Sequence, residues 1–252
     1  MDQHSDISFI LPATDETYSL TQTVHQIQEL IGARAIQFII VTSPTFTTPA
    51  CRRTIQTLSE AFGSVETFDQ TRPGLGGAIQ DAFDRAHAEI TVLMASDLET
   101  DPLVLPALIA KIDEGYDIAA TTRWRRGAGF SGYNPVKLIF NFLFQHFFRL
   151  LYWTDLTDLT YAYRAYRTPI IKTILWEEHK FPFLFESIVK PLRLGYRVAE
   201  VEAPWVARTE GVSHNNLQQT IDYFRVGLRV RFMAKKRLLI HPVRQNSAYR
   251  KR

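Results

Sequence analysis

The first 120 residues alternate short apolar runs with segments of helical apolar spacing, and this alternation restricts the fold more than any other feature. Residues 7–11, 35–41, 65–68, 90–95 and 117–121 read as strands. Residues 18–31, 49–62, 75–87 and 102–114 read as the helices between them. Strands joined in turn by helices predict a layered α/β domain, with a mostly parallel central sheet flanked by helices. The unbroken apolar run at 90–95 suits a strand covered on both faces. Ligands of such sheets sit beyond the carboxyl ends of the strands. The positions of interest are therefore 12–16, 42–48, 69–77 and 96–101.

After Thr122 the pattern changes. Residues 123–134 are rich in Gly and basic side chains and read as a mobile loop. An aromatic-rich helix follows from Pro135 to about Tyr152, then a strand at 161–166, a helix at 181–194 and a strand at 197–201. Residues 217–239 read as one long helix that becomes basic. The apolar residues of 135–153 cover most of a helix circumference. That suits a membrane interface, a dimer contact or a helix sandwiched in the core.

With 46% apolar and 22% charged residues, the 252-residue chain is neither disordered nor a fibre. A chain this long buries about three quarters of its unfolded surface and needs no covalent staple. Cys51 is the single cysteine, so no intramolecular disulfide is expected, as in a reducing compartment. No apolar stretch reaches the ~18 residues of a bilayer span. The net charge of +3 conceals an asymmetry: residues 225–252 hold ten Arg or Lys and no acid. This end predicts an anionic partner, namely phospholipid, a phosphate-bearing ligand or nucleic acid. Nucleic acid is the weakest of these, because the chain lacks a stacking platform. A merely solubilising tail is the plainer alternative.

Four clusters carry possible chemistry. Ser96-Asp97-Leu98-Glu99 follows a strand, and carboxylates at i and i+2 can share Mg²⁺ or Mn²⁺. The plainer reading is a helix cap, which Asp101 before Pro102 fits better. Arg72 to Gly77 forms a Gly-rich turn opening a helix, where backbone can approach an anion. Asp155 and Asp158 lie in a polar link, where an acid can orient or deprotonate an acceptor. Arg208 to Asn215 brings an Arg, hydroxyls, an imidazole and an amide together, a set that can hold phosphate or simply form a surface loop.

In order, these clusters resemble an inverting family 2 glycosyltransferase of the GT-A fold, in the dolichyl- or polyprenyl-phosphate sugar transferase branch typified by dolichol-phosphate mannosyltransferase. The resemblance runs from Ile7 to Phe232. It implies that Pro12, Ala13, Glu16, Thr42, Arg72, Gly76 and Ser96 border the nucleotide. It matches the family metal motif to Ala95-Ser96-Asp97-Leu98-Glu99, implying that Asp97 and Glu99 hold Mg²⁺ or Mn²⁺. An acceptor motif matches Asp158 to Arg164, a later helical Glu matches Glu186, and an Arg-x-x-Gly-x-Ser-Lys motif matches Arg208 to His214. Asp97 and Asp158 are the expected catalytic acids. Arg123, Arg164, Arg208, Ser213 and His214 are expected to hold the acceptor phosphate. Thr42-Ser43-Pro44 stands where the family usually has acids, and Ala95 replaces the first metal-motif acid.

The implied organisation is a GT-A domain at 1–216, with a nucleotide half at 1–122 and an acceptor half at 123–216, followed by a C-terminal helix and basic tail at 217–252. The implied partners are a nucleotide-diphosphate sugar, a lipid phosphate and an anionic membrane surface, with a homodimer through 135–153 possible. The expected location is cytoplasmic, attached peripherally to the inner face of the membrane. A second hypothesis is a catalytically impaired homologue that acts as a binding or scaffold protein.

Overall fold

A computed structural model describes residues 6–32, 34, 36–125, 128–131, 134–206 and 217–240. In chain order the elements are β1 (Ile7–Ala13), α1 (Tyr18–Ile31), β2 (Ile36–Thr42), α2 (Pro49–Ala61), β3 (Val65–Asp69), α3 (Gly74–Arg85), β4 (Ile90–Leu93), α4 (Leu105–Asp113) and β5 (Ile118–Thr122). The second half adds β6 (Gly129–Ser131), α5 (Pro135–Tyr152), β7 (Arg164–Arg167), α6 (Thr168–Thr173), α7 (Phe183–Leu194), β8 (Val198–Glu202), β9 (Pro204–Val206) and α8 (Leu217–Phe232).

Seven strands form one sheet in the order β3-β2-β1-β4-β7-β5-β8, parallel except for β7. Alternate side chains of β1 serve two cores. Phe9 and Leu11 pack with Leu20 and Val24 of α1, Ile55 and Leu58 of α2, and Leu108 of α4. Ile10 packs on the other face with Ile79 and Phe83 of α3, Phe148 of α5, Ile188 of α7 and Val226 of α8. The near-continuous apolar runs of β1, β2 and β4 reflect burial on both faces. The α/β expectation holds, and the carboxyl ends of β1 to β3 align in register at Ala13, Thr42 and Asp69.

Several boundaries differ from expectation for local reasons. The strand expected from Tyr161 starts at Arg164, because the Thr160 and Tyr161 amides both donate to Asp158 Oδ1 at 3.1 Å and bend the chain. β7 then runs antiparallel between β4 and β5. The long helix expected to reach 239 stops at Phe232. A 3₁₀ turn at Lys235–Leu238 buries Leu238, and the Leu175 amide donates to the Leu238 carbonyl. The six-residue α6 is too short to show a period.

The aromatic helix α5 forms as expected, with Pro135 in its first turn and Asn134 Oδ1 accepting from the Val136 and Lys137 amides. Phe144, Gln145 and Phe148 are buried. The opposite stripe, Val136, Ile139, Phe140, Leu143, Phe147 and Leu150, is exposed, and Trp153 at the C-cap is 84% exposed. The helix is therefore not sandwiched in the core. Among the described residues no helix is long and apolar enough to cross a membrane.

Candidate active site

The Ser96–Glu99 segment, expected to hold a metal, follows β4 beyond the carboxyl edge of the sheet. After β4, the Met94 amide donates to the Ile10 carbonyl at 3.3 Å, and Ser96 Oγ donates to the Pro12 carbonyl at 2.7 Å. The 94–97 segment thus continues beside the end of β1. Asp97 is 4% exposed, and its Oδ1 accepts from the Glu99 amide at 3.0 Å. Leu98 between them has φ of +60°, a conformation that residues with a β-carbon rarely adopt. Glu99 is half-buried, and its Oε2 accepts from Trp205 Nε1 at 3.2 Å. Asp101 is the cap expected, its Oδ1 accepting from the Leu103 amide at 2.9 Å.

Among the described residues no three His, Cys, Asp or Glu side chains gather around one point. Asp97 and Glu99 are a pair. Their hard oxygen donors fit Mg²⁺ or Mn²⁺, ions whose remaining positions are usually filled by water and substrate phosphate oxygens.

The residues expected to border a nucleotide form a braced rim at the ends of β1 and β2. Pro12 and Ala13 end β1, and Glu16 Oε2 accepts from the Thr14 and Asp15 amides, tightening the turn into α1. Thr42 Oγ1 lies 2.8 Å from Asp69 Oδ1 at the end of the neighbouring strand. Arg52 Nη2 donates to the same oxygen at 2.8 Å and to the Ser43 carbonyl at 3.0 Å. The Arg52 hydrogen bond is the largest influence on Asp69, and its pKa lies below the ordinary carboxylate value. β2 ends in Thr42, and the carboxylate beside it comes from β3. The sequence places Asp69 among the strand-end positions of interest without assigning it a role.

Arg72 is committed to α3: its Nη1 donates to Asp81 Oδ1 at 2.6 Å and Asp84 Oδ2 at 2.8 Å. Gly76 admits the 178–179 backbone. A Cβ there would lie 2.5 Å from the Glu178 carbonyl oxygen and 2.6 Å from Phe183 Cβ. Close packing with this segment accounts for the glycine.

Asp158, expected on the acceptor side, is fully buried. Its carboxylate accepts from Arg123 Nε at 2.6 Å, Arg123 Nη2 at 3.0 Å and Gln145 Nε2 at 3.2 Å, besides the amides of Thr160 and Tyr161. Burial by itself raises its pKa. The Arg123 charge and these hydrogen bonds outweigh that and hold the carboxyl below its usual range. Arg123 also lies over the Tyr161 ring, 4.6 Å from the centroid, and Tyr161 Oη donates to the Glu99 carbonyl at 3.3 Å. Tyr161 thereby links the Asp158 cluster to the turn that carries Asp97 and Glu99.

Arg164 requires correction. It is 0% exposed, and its guanidinium donates to the Leu184 carbonyl at 2.6 Å, Ser187 Oγ at 2.8 Å and the Leu159 carbonyl at 3.0 Å. It braces β7 against α7 from inside the core and presents nothing to an acceptor phosphate. Glu186 is likewise interior, paired with Lys190 at 2.7 Å. Glu200, which sequence reading missed, accepts from the Thr157 and Asp158 amides and pairs with Arg125 at 3.1 Å. Burial raises its pKa. Arg208, Ser213 and His214 lie outside the described residues.

Fold and site together define an α/β protein with a carboxylate pair beyond the carboxyl edge of a mostly parallel sheet. The chain belongs to glycosyl transferase family 2, whose model matches residues 8–175. It is 25% identical over 218 residues to glycosyltransferase AglD of Haloferax volcanii, covering 79% of this chain and 33% of that protein. It is 32% identical over 102 residues to undecaprenyl-phosphate 4-deoxy-4-formamido-L-arabinose transferase of Salmonella paratyphi B, covering 40% of this chain and 30% of the relative. The chain spans about a third of the length of the curated relatives it matches. Among solved structures it is similar to glucosyl-3-phosphoglycerate synthase from Mycobacterium tuberculosis in complex with Mn²⁺, UDP-glucose and phosphoglyceric acid. The TM-score is 0.68 at 15% identity, covering 91% of this chain and 81% of that one. The fold is of the GT-A type.

Proposed function

We propose that this chain is an inverting glycosyltransferase that moves a sugar from a nucleotide-diphosphate sugar to a polyprenyl or dolichyl phosphate, or a related acceptor, at a membrane surface. The observation that carries the reading is the Asp97–Glu99 pair held at the carboxyl edge of the parallel sheet beside Pro12. The named substrate of the undecaprenyl-phosphate relatives supports a lipid-phosphate acceptor.

In this reading the bond from the sugar anomeric carbon to the diphosphate breaks as an acceptor phosphate oxygen attacks from the opposite face. The nucleoside diphosphate leaves with the electron pair. Mg²⁺ or Mn²⁺ bound by Asp97 and Glu99 supplies neutralisation of the charge developing on that leaving group. Pro12, Ala13, Glu16, Thr42 and Ser96 shape the nucleotide side, while Arg72, held by Asp81 and Asp84, and Gly76, packed against the 178–179 backbone, support α3 behind it. A phosphate monoester has its second pKa at about 6 and is largely dianionic near pH 7, so the acceptor needs no strong base. That agrees with Asp158, an ionised carboxylate surrounded by donors. Its part is to position Arg123. Arg123, together with Arg208, Ser213 and His214, then holds the acceptor phosphate.

The exposed α5 stripe and the exposed Lys235, Lys236 and Arg237 next to α8 support peripheral attachment to an anionic leaflet on the cytoplasmic side. A screen of radiolabelled nucleotide sugars against membrane lipid extracts tests the whole reading. A labelled, lipid-extractable product is expected, and its absence with every donor counts against it. The second reading, a binding or scaffold homologue, is favoured by Ala95 and by Thr42-Ser43-Pro44. Calorimetry showing no nucleotide-sugar binding, with no turnover, supports it.

A further inference from the structure

Glu99 is held from the far side of the site. Its carboxylate accepts the Trp205 indole N–H at 3.2 Å, from a residue 106 positions later in the chain. Its carbonyl accepts Tyr161 Oη at 3.3 Å and the Val206 amide at 3.5 Å, and Thr100 forms an antiparallel bridge with Trp205. Trp205 sits in β9, which pairs with β6 through Phe130. The turn that carries Glu99 contains Leu98 in the left-handed region. Such a turn is retained by its surroundings more than by its own preference.

We infer that Trp205 is a positioning residue for the ion site: its indole N–H sets the direction of the Glu99 carboxylate so that Asp97 and Glu99 face a single Mn²⁺ or Mg²⁺. The inference rests on the metal assignment proposed above. Asp97 is buried and its short side chain already accepts from the turn backbone. Glu99 is longer by one torsion and half-buried, so it loses more rotamer freedom when it binds an ion. A donor that holds it beforehand reduces that loss. Indole nitrogen only donates, which matches a carboxylate acceptor. A phenyl ring would fill much of the same space without this bond. Strand β9 in this way ties the acceptor half of the fold to the ion site.

The test is a Mn²⁺ titration read by electron paramagnetic resonance, with and without uridine diphosphate. It is run on the full wild-type chain, Trp205→Phe, Glu99→Ala and the double variant. Trp205→Phe is expected to weaken Mn²⁺ binding about tenfold, as loss of an outer partner of a metal ligand typically does. The same change in the Glu99→Ala background is expected to have no effect, because Trp205 acts through Glu99. Equal losses in both backgrounds indicate a general structural role and overturn the inference. Unchanged affinity in folded Trp205→Phe overturns it too. A second measurement needs no variant. Bound Mn²⁺, a paramagnetic quencher, is expected to quench tryptophan emission of the wild type where Mg²⁺ does not, and equal emission with both ions contradicts the placement. If the wild type binds no Mn²⁺ under either condition, the metal assignment itself falls, and this inference with it.

Discussion

Arg123 grips Asp158 with two nitrogens, Nε at 2.6 Å from Oδ2 and Nη2 at 3.0 Å from Oδ1, while Gln145 and two backbone amides close the rest of the carboxylate. The pair joins the segment after β5 to the turn before β7. It is buried, so breaking it by removing one partner is costly. Arg123→Leu leaves an uncompensated buried carboxylate and is expected to destabilise the fold by about 3–5 kcal/mol. Urea denaturation at pH 7 measures this.

The same pair predicts a pH dependence. An unfolded Asp titrates near pH 3.9, and Asp158 in the fold titrates lower. Its contribution is therefore fully present above about pH 4 and is lost as pH falls through the folded value. Asp158→Asn removes this titration. Below pH 4 the variant is expected to lose stability less steeply than the wild type, as read by denaturation midpoints across pH.

Asp97→Ala removes one of the two proposed metal ligands and is expected to abolish metal-dependent donor turnover, with a loss of at least about 100-fold in kcat. The check is nucleotide-sugar turnover against Mn²⁺ concentration, together with a melting curve to establish folding. Full activity in the variant contradicts the metal assignment.

The outward stripe of α5 bears Phe140, Leu143 and Phe147, all exposed, and Phe147 also meets Phe224 of α8 at 5.6 Å. Changing these three to Ser is expected to release the protein from vesicles containing anionic lipid. Removing residues 235–252 is expected to act in the same direction, each basic residue near the leaflet contributing about 1 kcal/mol. Vesicle sedimentation reads both. Unchanged sedimentation, with the α5 variant altering only the elution volume on gel filtration, assigns the stripe to a homodimer instead.

Gly227 lies in α8 where a Cβ would run into the Phe148 ring and meet Phe185 Cε1 at 2.7 Å. Ala has the better helix propensity by about 1 kcal/mol. Both rings are fully buried in a packed core and cannot swing away. Overpacking therefore decides the sign, and Gly227→Ala is expected to lower stability by about 1–3 kcal/mol. A drop in Tm checks it.

Much of the fold was legible because its signals are short-range. The apolar runs of β1, β2 and β4 mark strands buried on both faces. Asn134-Pro135 marks the start of α5 through a cap and a preset φ, and Asp101-Pro102 does the same for the turn before α4. The Asp97–Glu99 position followed from the rule that ligands sit beyond strand ends, because a strand and the turn after it are contiguous. Arg164 illustrates the limit. Its motif and charge suggested a phosphate ligand, but three acceptors, the nearby Leu159 carbonyl and the distant Leu184 carbonyl and Ser187 hydroxyl, allow a guanidinium to be buried there.

The sequence alone determined the alternation of strands and helices, the carboxylate pair after the fourth strand and the excess of apolar surface on α5. Steric preference and hydrophobic periodicity act over a few residues, so each can be read locally. Only the tertiary structure decided that β7 enters the sheet antiparallel, that Asp158 closes on Arg123, that Asp69 comes to lie beside Thr42, and that Trp205 reaches Glu99. Those pairings join residues far apart in the chain. They depend on how the two cores pack and on which buried polar groups must find partners, and no short stretch of sequence carries that information.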